Sequence, residues 1–121
     1  MKNKQDHHTT FEAGNFNNGI GIRYYESGKH AGVYLNNVEN GVGIKEWSSG
    51  AKMYGYFKDG KIDSLGLFIT SDKLRYYGKI KDFKPVDNKH WFDNDNNPLN
   101  FTLDESKVIF AKEIYGPYFD A

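Results

Sequence analysis

Cysteine is absent from the 121 residues, which removes a disulfide scaffold, a thiol nucleophile and a cysteine-based zinc site. A reducing compartment is compatible with that absence without being required by it. Surplus charge is missing too. Lys plus Arg equals Asp plus Glu at 16 each, so no long-range field draws the chain to nucleic acid or anionic lipid. Apolar runs are only a few residues long, too short to span a membrane as a helix. The opening MKNKQDHHTT lacks the apolar core of a signal peptide, so residues 1–10 read as a disordered polar tail. Aliphatic residues are scarce. What is abundant is glycine, with 13, and aromatic rings, at 17% of residues.

The glycines follow a ruler. Gly19 and Gly21 are followed by Gly41 and Gly43, then by Ser64 and Gly66, at steps of 22 and 23 residues. Gly32, Gly55 and Gly78 form a second set at steps of 23. Ile22, Ile44 and Leu67 keep the same spacing, as do Tyr34, Phe57 and Ile80, and Gly28, Gly50 and Lys73. Self-similarity at this period marks a repeat architecture in which each unit rests on its neighbours.

Residues 52–73 show the unit most clearly. Met53, Gly55 and Phe57 alternate with Tyr54, Tyr56 and Lys58, a period of two that predicts a strand. Asp59-Gly60 is a strong hairpin signal, 65–70 is the return strand, and Ser71-Asp72-Lys73 turns into the next unit. The preceding unit runs through His30, Gly32 and Tyr34, a turn at Asn36-Asn37, and a return strand over 42–47. A third unit starts with Tyr76, Gly78 and Ile80, then decays: Phe83, Asp87 and Lys89 stand where glycine is due. Glycine inside a strand weakens it unless the missing side chain leaves a slot for something else. Aromatic rings of adjacent strands are the expected occupants, and such pairs would lock register. The prediction is an all-β fold, an elongated antiparallel meander of hairpins with a thin core on one face.

Met53-Tyr54-Gly55-Tyr56-Phe57-Lys58-Asp59-Gly60, followed by Ser64-Leu65-Gly66, resembles a MORN repeat (membrane occupation and recognition nexus). Residues 29–50 resemble a second copy and 75–89 a degraded third, while 11–28 keep the second half of a unit, so the resemblance covers roughly residues 11–84. The first consensus tyrosine is matched by Tyr76 but replaced by His30 and Met53. The domain plan is therefore a tail over 1–10, a MORN-like meander over 11–90, and an Asn/Asp-rich loop with a capping segment over 91–121.

In that last segment Thr102-Leu103-Asp104-Glu105 is a capping box and Gly116-Pro117 a stop signal. Val108, Ala111, Ile114 and Tyr115 fall near helical spacing, which predicts about three turns of helix covering the open end of the stack. A strand over 107–111 is the alternative.

Candidate chemistry is thin. Asp93-Asn94-Asp95-Asn96-Asn97 looks like half a calcium loop, but Pro98 occupies the position that requires glycine, so a solvated turn is expected. His7-His8 has no third ligand nearby, and no serine sits in a nucleophile elbow. Gly19-Ile20-Gly21 and Gly41-Val42-Gly43 lead into strands rather than helices, which argues against a phosphate cradle. No enzyme, cofactor or metal is expected. Tyr34, Trp47, Phe57, Phe68 and Tyr76 are the candidate groove for a peptide or helix of a protein partner, as exposed rings beside glycines. Arg75, Lys79 and Lys81 share the opposite face by parity and are candidates for anionic lipid, with Lys73 and Lys84 nearby. The resemblance implies a non-enzymatic scaffold, a structural subunit of a cytoskeletal, ciliary or membrane-associated assembly in the cytoplasm.

Overall fold

Alternation along the chain becomes a sheet with two unlike faces. The computed structural model describes residues 9–116. Seven strands follow one another in chain order and pair antiparallel with their neighbours: β1 (Thr9–Gly14), β2 (Asn18–Tyr25), β3 (Gly28–Leu35), β4 (Val38–Trp47), β5 (Lys52–Lys58), β6 (Lys61–Ile69) and β7 (Arg75–Lys81). Two short strands then pair with opposite ends of β7. β8 (Lys84–Pro85) meets Ile80 and Lys81, while β9 (Trp91–Phe92) meets Arg75 and Tyr76. β10 (Pro98–Leu99) closes on β9, and helix α1 (Leu103–Tyr115) follows. The all-β meander with a C-terminal helix is thus the observed fold. The sheet passes both expected domain limits, because Thr9 and Thr10 belong to β1 and β9 starts at Trp91. The rest of the expected tail lies outside the described residues.

Two-residue turns at the 23-residue spacing set the register. Asn36-Asn37, Asp59-Gly60 and Asp82-Phe83 all take left-handed φ, at 51° and 72°, 51° and 85°, and 51° and 63°. This is the geometry that matches strand twist in a tight hairpin. Phe83 holds the glycine position of the third hairpin, at a cost of about 1–2 kcal/mol for a left-handed L-residue. Its ring offsets that cost by packing 6.0 Å from Trp47 and 6.5 Å from Phe57.

The ruler glycines form a row across the strands. Gly14, Gly21, Gly32, Gly43 and Gly55 are successive cross-strand partners, and Gly66 pairs with Gly78. Several are slots, as the sequence predicts, but rings do not fill all of them. A Cβ at Gly21 would lie 2.8 Å from the Phe16 ring, and one at Gly43 would lie 2.5 Å from His30 Nε2. At Gly55 the space belongs to the Cδ1 methyl of Ile62, an aliphatic group, rather than to a ring.

The glycine-bearing face is the buried one. Over its C-terminal half Trp47, Met53, Phe57, Phe68, Tyr76 and Trp91 form the core with Phe110 of α1. The helix starts at a complete capping box between Thr102 and Glu105, which rules out the strand alternative for 107–111. Its far end is tied to two inter-hairpin turns. Ser49 Oγ donates to the Glu113 carbonyl at 2.8 Å, and Ser71 donates through Oγ and N–H to the Glu113 carboxylate.

Candidate functional site

The rings expected to form an open groove are core residues. Tyr34, Phe57, Phe68 and Tyr76 have no exposed surface and Trp47 has 5%. A partner groove on these five rings is therefore not a surface of this fold. The physical reason is occupancy in cis: Phe110 lies against Phe68, Tyr76 and Trp91, Phe83 closes over Trp47 and Phe57, and Phe16 with Arg23 covers Tyr34.

Beyond the reach of the helix, the same face carries charge. Glu39 and Lys45 sit on one strand with Gly41 and Gly43 between them. Their side chains reach across those glycines to an Nζ–Oε2 distance of 3.7 Å, and both residues are buried. Tyr25 Oη donates to the same Glu39 oxygen at 2.9 Å. Burial would raise the Glu39 carboxyl, but Lys45, a backbone hydrogen bond, His30 and the Tyr25 hydroxyl outweigh it, so the group stays below its ordinary value. Lys45 is pushed down by burial, which Glu39 only partly offsets. Arg23 lies over the adjoining rings of Phe16 and Tyr34, pairs with Glu12, and donates to Asn37 Oδ1 at 2.6 Å. His30 is wholly buried with neither ring nitrogen partnered, and burial lowers its pKa to about 3. Its neighbours are the rings of Tyr34 and Phe57, edge-on. These contacts join β1 to β2 through Glu12 and Arg23, and β2 to β4 through Tyr25 and Glu39.

Two of the three expected lipid contacts, Arg75 and Lys79, are engaged within the fold. Arg75 donates to the Asp93 carbonyl at 3.0 Å and to the Asn96 side chain. Lys79 pairs with Asp63 at 3.1 Å, and Lys81 stands directly opposite that aspartate. The Asp93 carboxylate accepts the Asp95 and Asn97 N–H groups at 2.8 and 2.9 Å and the Asn97 amide at 3.0 Å. These hydrogen bonds hold its pKa below the ordinary value and make the segment the turn of the β9–β10 hairpin.

What remains open is the other face of the sheet, whose basic strand the sequence indicated but whose apolar residues it did not single out. Ile22, Ala31, Ile44, Tyr54, Leu67 and Tyr77 are successive cross-strand neighbours from β2 to β7. Among the described residues, nine of the eleven exposed large hydrophobic residues lie on this face by register, Val86 and Val108 being the exceptions. Ile20, Val42, Tyr56 and Leu65 are the most open of them, at 60–73%. No described element covers them. Charge segregates here as well. Outward strand positions hold Lys29, Lys52, Lys58, Lys61, Arg75, Lys79, Lys81 and Lys84 against Glu46 and Asp63, although the whole chain is neutral. The signal was present in the alternation of Tyr54, Tyr56 and Lys58 with Met53, Gly55 and Phe57. What was missing was which set faces out.

Among the described residues no helix is long and apolar enough to cross a membrane. Fold and surface together define a one-sheet antiparallel β-meander, closed by a helix on one face and bare on the other. No protein-family model matches the chain and no curated protein matches it, so the likeness to MORN repeats rests on the residues themselves.

Proposed function

We propose that this chain is a non-enzymatic interaction module that docks a protein partner on the bare face of its sheet. One observation carries the reading: among the described residues nearly all the exposed large apolar side chains lie together on that face, uncovered, whereas scattered exposure would need no explanation. Tyrosines among them add the amphipathic contact area that protein interfaces favour. The likeness to MORN repeats is what points to a structural subunit of a cytoskeletal, ciliary or membrane-associated assembly in the cytoplasm. A second reading, peripheral binding to anionic lipid, draws on the basic surplus of the same face.

A photoreactive benzoylphenylalanine at position 56 tests the docking role in cells that make the protein, with the same group at exposed position 108 of the helix as control. A discrete protein adduct from position 56 alone, removed by Val42→Asp in a chain that still folds, is the expected result. Equal labelling from both positions would defeat the proposal.

A further inference from the structure

The bare face is not uniform along the direction that crosses the strands. At one end lies a shallow depression of about 470 Å³ between β2 and β5, lined by Val33, Leu35, Tyr56 and Lys58 with Asn18 and Asn40, and floored in part by Tyr34 and Gly41. From Lys58 the surface turns basic. Lys58 stands directly opposite Lys61, and one hairpin further on Lys81 stands directly opposite Lys84. These four lysines are exposed, and among the described residues none has a carboxylate within ion-pair distance. Asp59 and Asp82 sit in the intervening turns, and the nearby Asp63 is engaged by Lys79. Like charges set directly opposite in a sheet destabilise it, so two such pairs in adjacent hairpins call for an anionic counterpart.

We propose that the occupant of this face is an acidic polypeptide segment of a partner protein, apolar at one end and carboxylate-rich at the other. Its apolar side chains seat beside Tyr56 and its carboxylates reach Lys58, Lys61, Lys81 and Lys84. The proposal rests on the docking role above and specifies its partner. Six strand spacings from β2 to β8 come to about 29 Å, which about nine residues of extended chain would cover. The Asn18 amide offers a donor and an acceptor to such a backbone, whereas Asn40 Oδ1 already accepts the Asp59 N–H at 3.2 Å. A second copy is disfavoured by charge, since two of these faces would set lysine against lysine. A lipid surface fits less well than a peptide. The apolar contact is a depression rather than a protruding wedge, and Glu46 and Asp63 stand among the cations.

The test uses a fluorescein-labelled peptide of about ten residues, with leucines in its first half and glutamates in its second. Its counterpart carries lysine in place of every glutamate. Fluorescence anisotropy with the full chain should show binding of the acidic peptide alone, weakening as salt rises. Lys58→Glu with Lys81→Glu should weaken it at least tenfold, and Tyr56→Ser severalfold. Lys81→Gln provides a readout that a structural role would not give, raising the melting temperature while weakening the peptide. Equal binding of the two peptides, or affinity unchanged by the charge reversal, overturns the proposal. So does sedimentation with phosphatidylserine vesicles that the charge reversal abolishes while the acidic peptide stays unbound. Position-56 crosslinking to a partner without an acidic segment would sink this inference and leave the docking role standing.

Discussion

Phe110 lies almost flat on Phe68, with ring centroids 4.0 Å apart and planes at 25°, and this stack is where the helix meets the sheet. Tyr76 and Trp91 meet the same ring edge-on at 5.3 and 5.9 Å. Ser106 adds a buried hydrogen bond from Trp91 Nε1 at 2.8 Å. Phe110 and Ser106 are the buried residues of α1, and Ile109 and Ile114 pack beside them against the core.

Phe110→Ala should therefore cost about 3–5 kcal/mol, the range for removing a buried ring, and loosen the whole helix. Chemical denaturation measures the loss. Amide exchange should show protection falling along residues 103–115, while the β2–β4 amides stay protected. A loss under about 1 kcal/mol would mean that the Ser49 and Ser71 bonds to Glu113 hold the helix by themselves.

Removing residues 101–121 should go further. Phe68, Tyr76 and Trp91 would lose their cover, and size-exclusion chromatography should show self-association. A monomeric fragment 1–100 that melts cooperatively would show that the helix is dispensable to the sheet.

Gly43→Ala probes the slot beneath His30. The added methyl would meet Nε2 at 2.5 Å and Cε1 at 2.9 Å, with the Ala31 carbonyl at 3.3 Å on the other side. Overpacking of this kind costs about 1–3 kcal/mol. In a His30→Ala background the space is free, so the second substitution should cost much less than in the wild type. A double-mutant cycle with no coupling would show that the imidazole is not what fills the slot.

His30 also sets a pH dependence. The folded state keeps the imidazole neutral down to about pH 3, with Lys45, Glu39 and Arg23 around it, whereas the unfolded chain takes up the proton near 6.5. Below that value the unfolded state binds more protons, so stability falls as pH falls. The loss between pH 7 and pH 5 should be about 2 kcal/mol. Glu39 adds a loss of the same sign only below its ordinary carboxyl range, so the pH 5–7 window reports His30. Urea midpoints at the two pH values measure it, and His30→Leu should flatten the slope. An unchanged slope in that variant would assign the effect to another group.

Thr102→Ala removes the hydroxyl that accepts the Glu105 N–H at 3.1 Å, leaving the reverse bond from the Thr102 N–H to Glu105 Oε1 at 2.8 Å. The expected cost is about 1 kcal/mol, read as a lower denaturation midpoint. No change would show that the reverse bond alone holds the first turn.

Much of this molecule is determined locally and is legible in the chain. The period of 23 places the hairpin tips, because Asn37, Gly60 and Phe83 each end a two-residue turn with left-handed φ. Period two sorts each strand into two sets of residues, and the Thr102–Glu105 box marks the helix start. These are short-range effects of backbone sterics and capping, so short windows of sequence suffice. Tertiary structure decided which set is buried. Tyr34, Phe57 and Phe68 on one side and Val42, Tyr56 and Leu65 on the other are equally apolar, so alternation alone cannot rank them. Over the C-terminal half the choice was made by groups distant in sequence, Phe110 on Phe68 and Glu113 bound to Ser49 across 64 residues. Beyond the helix, Phe16 and Arg23 cover Tyr34. The sheet buries the side that the helix covers, and its other face is left with tyrosines, valines and lysines in the open.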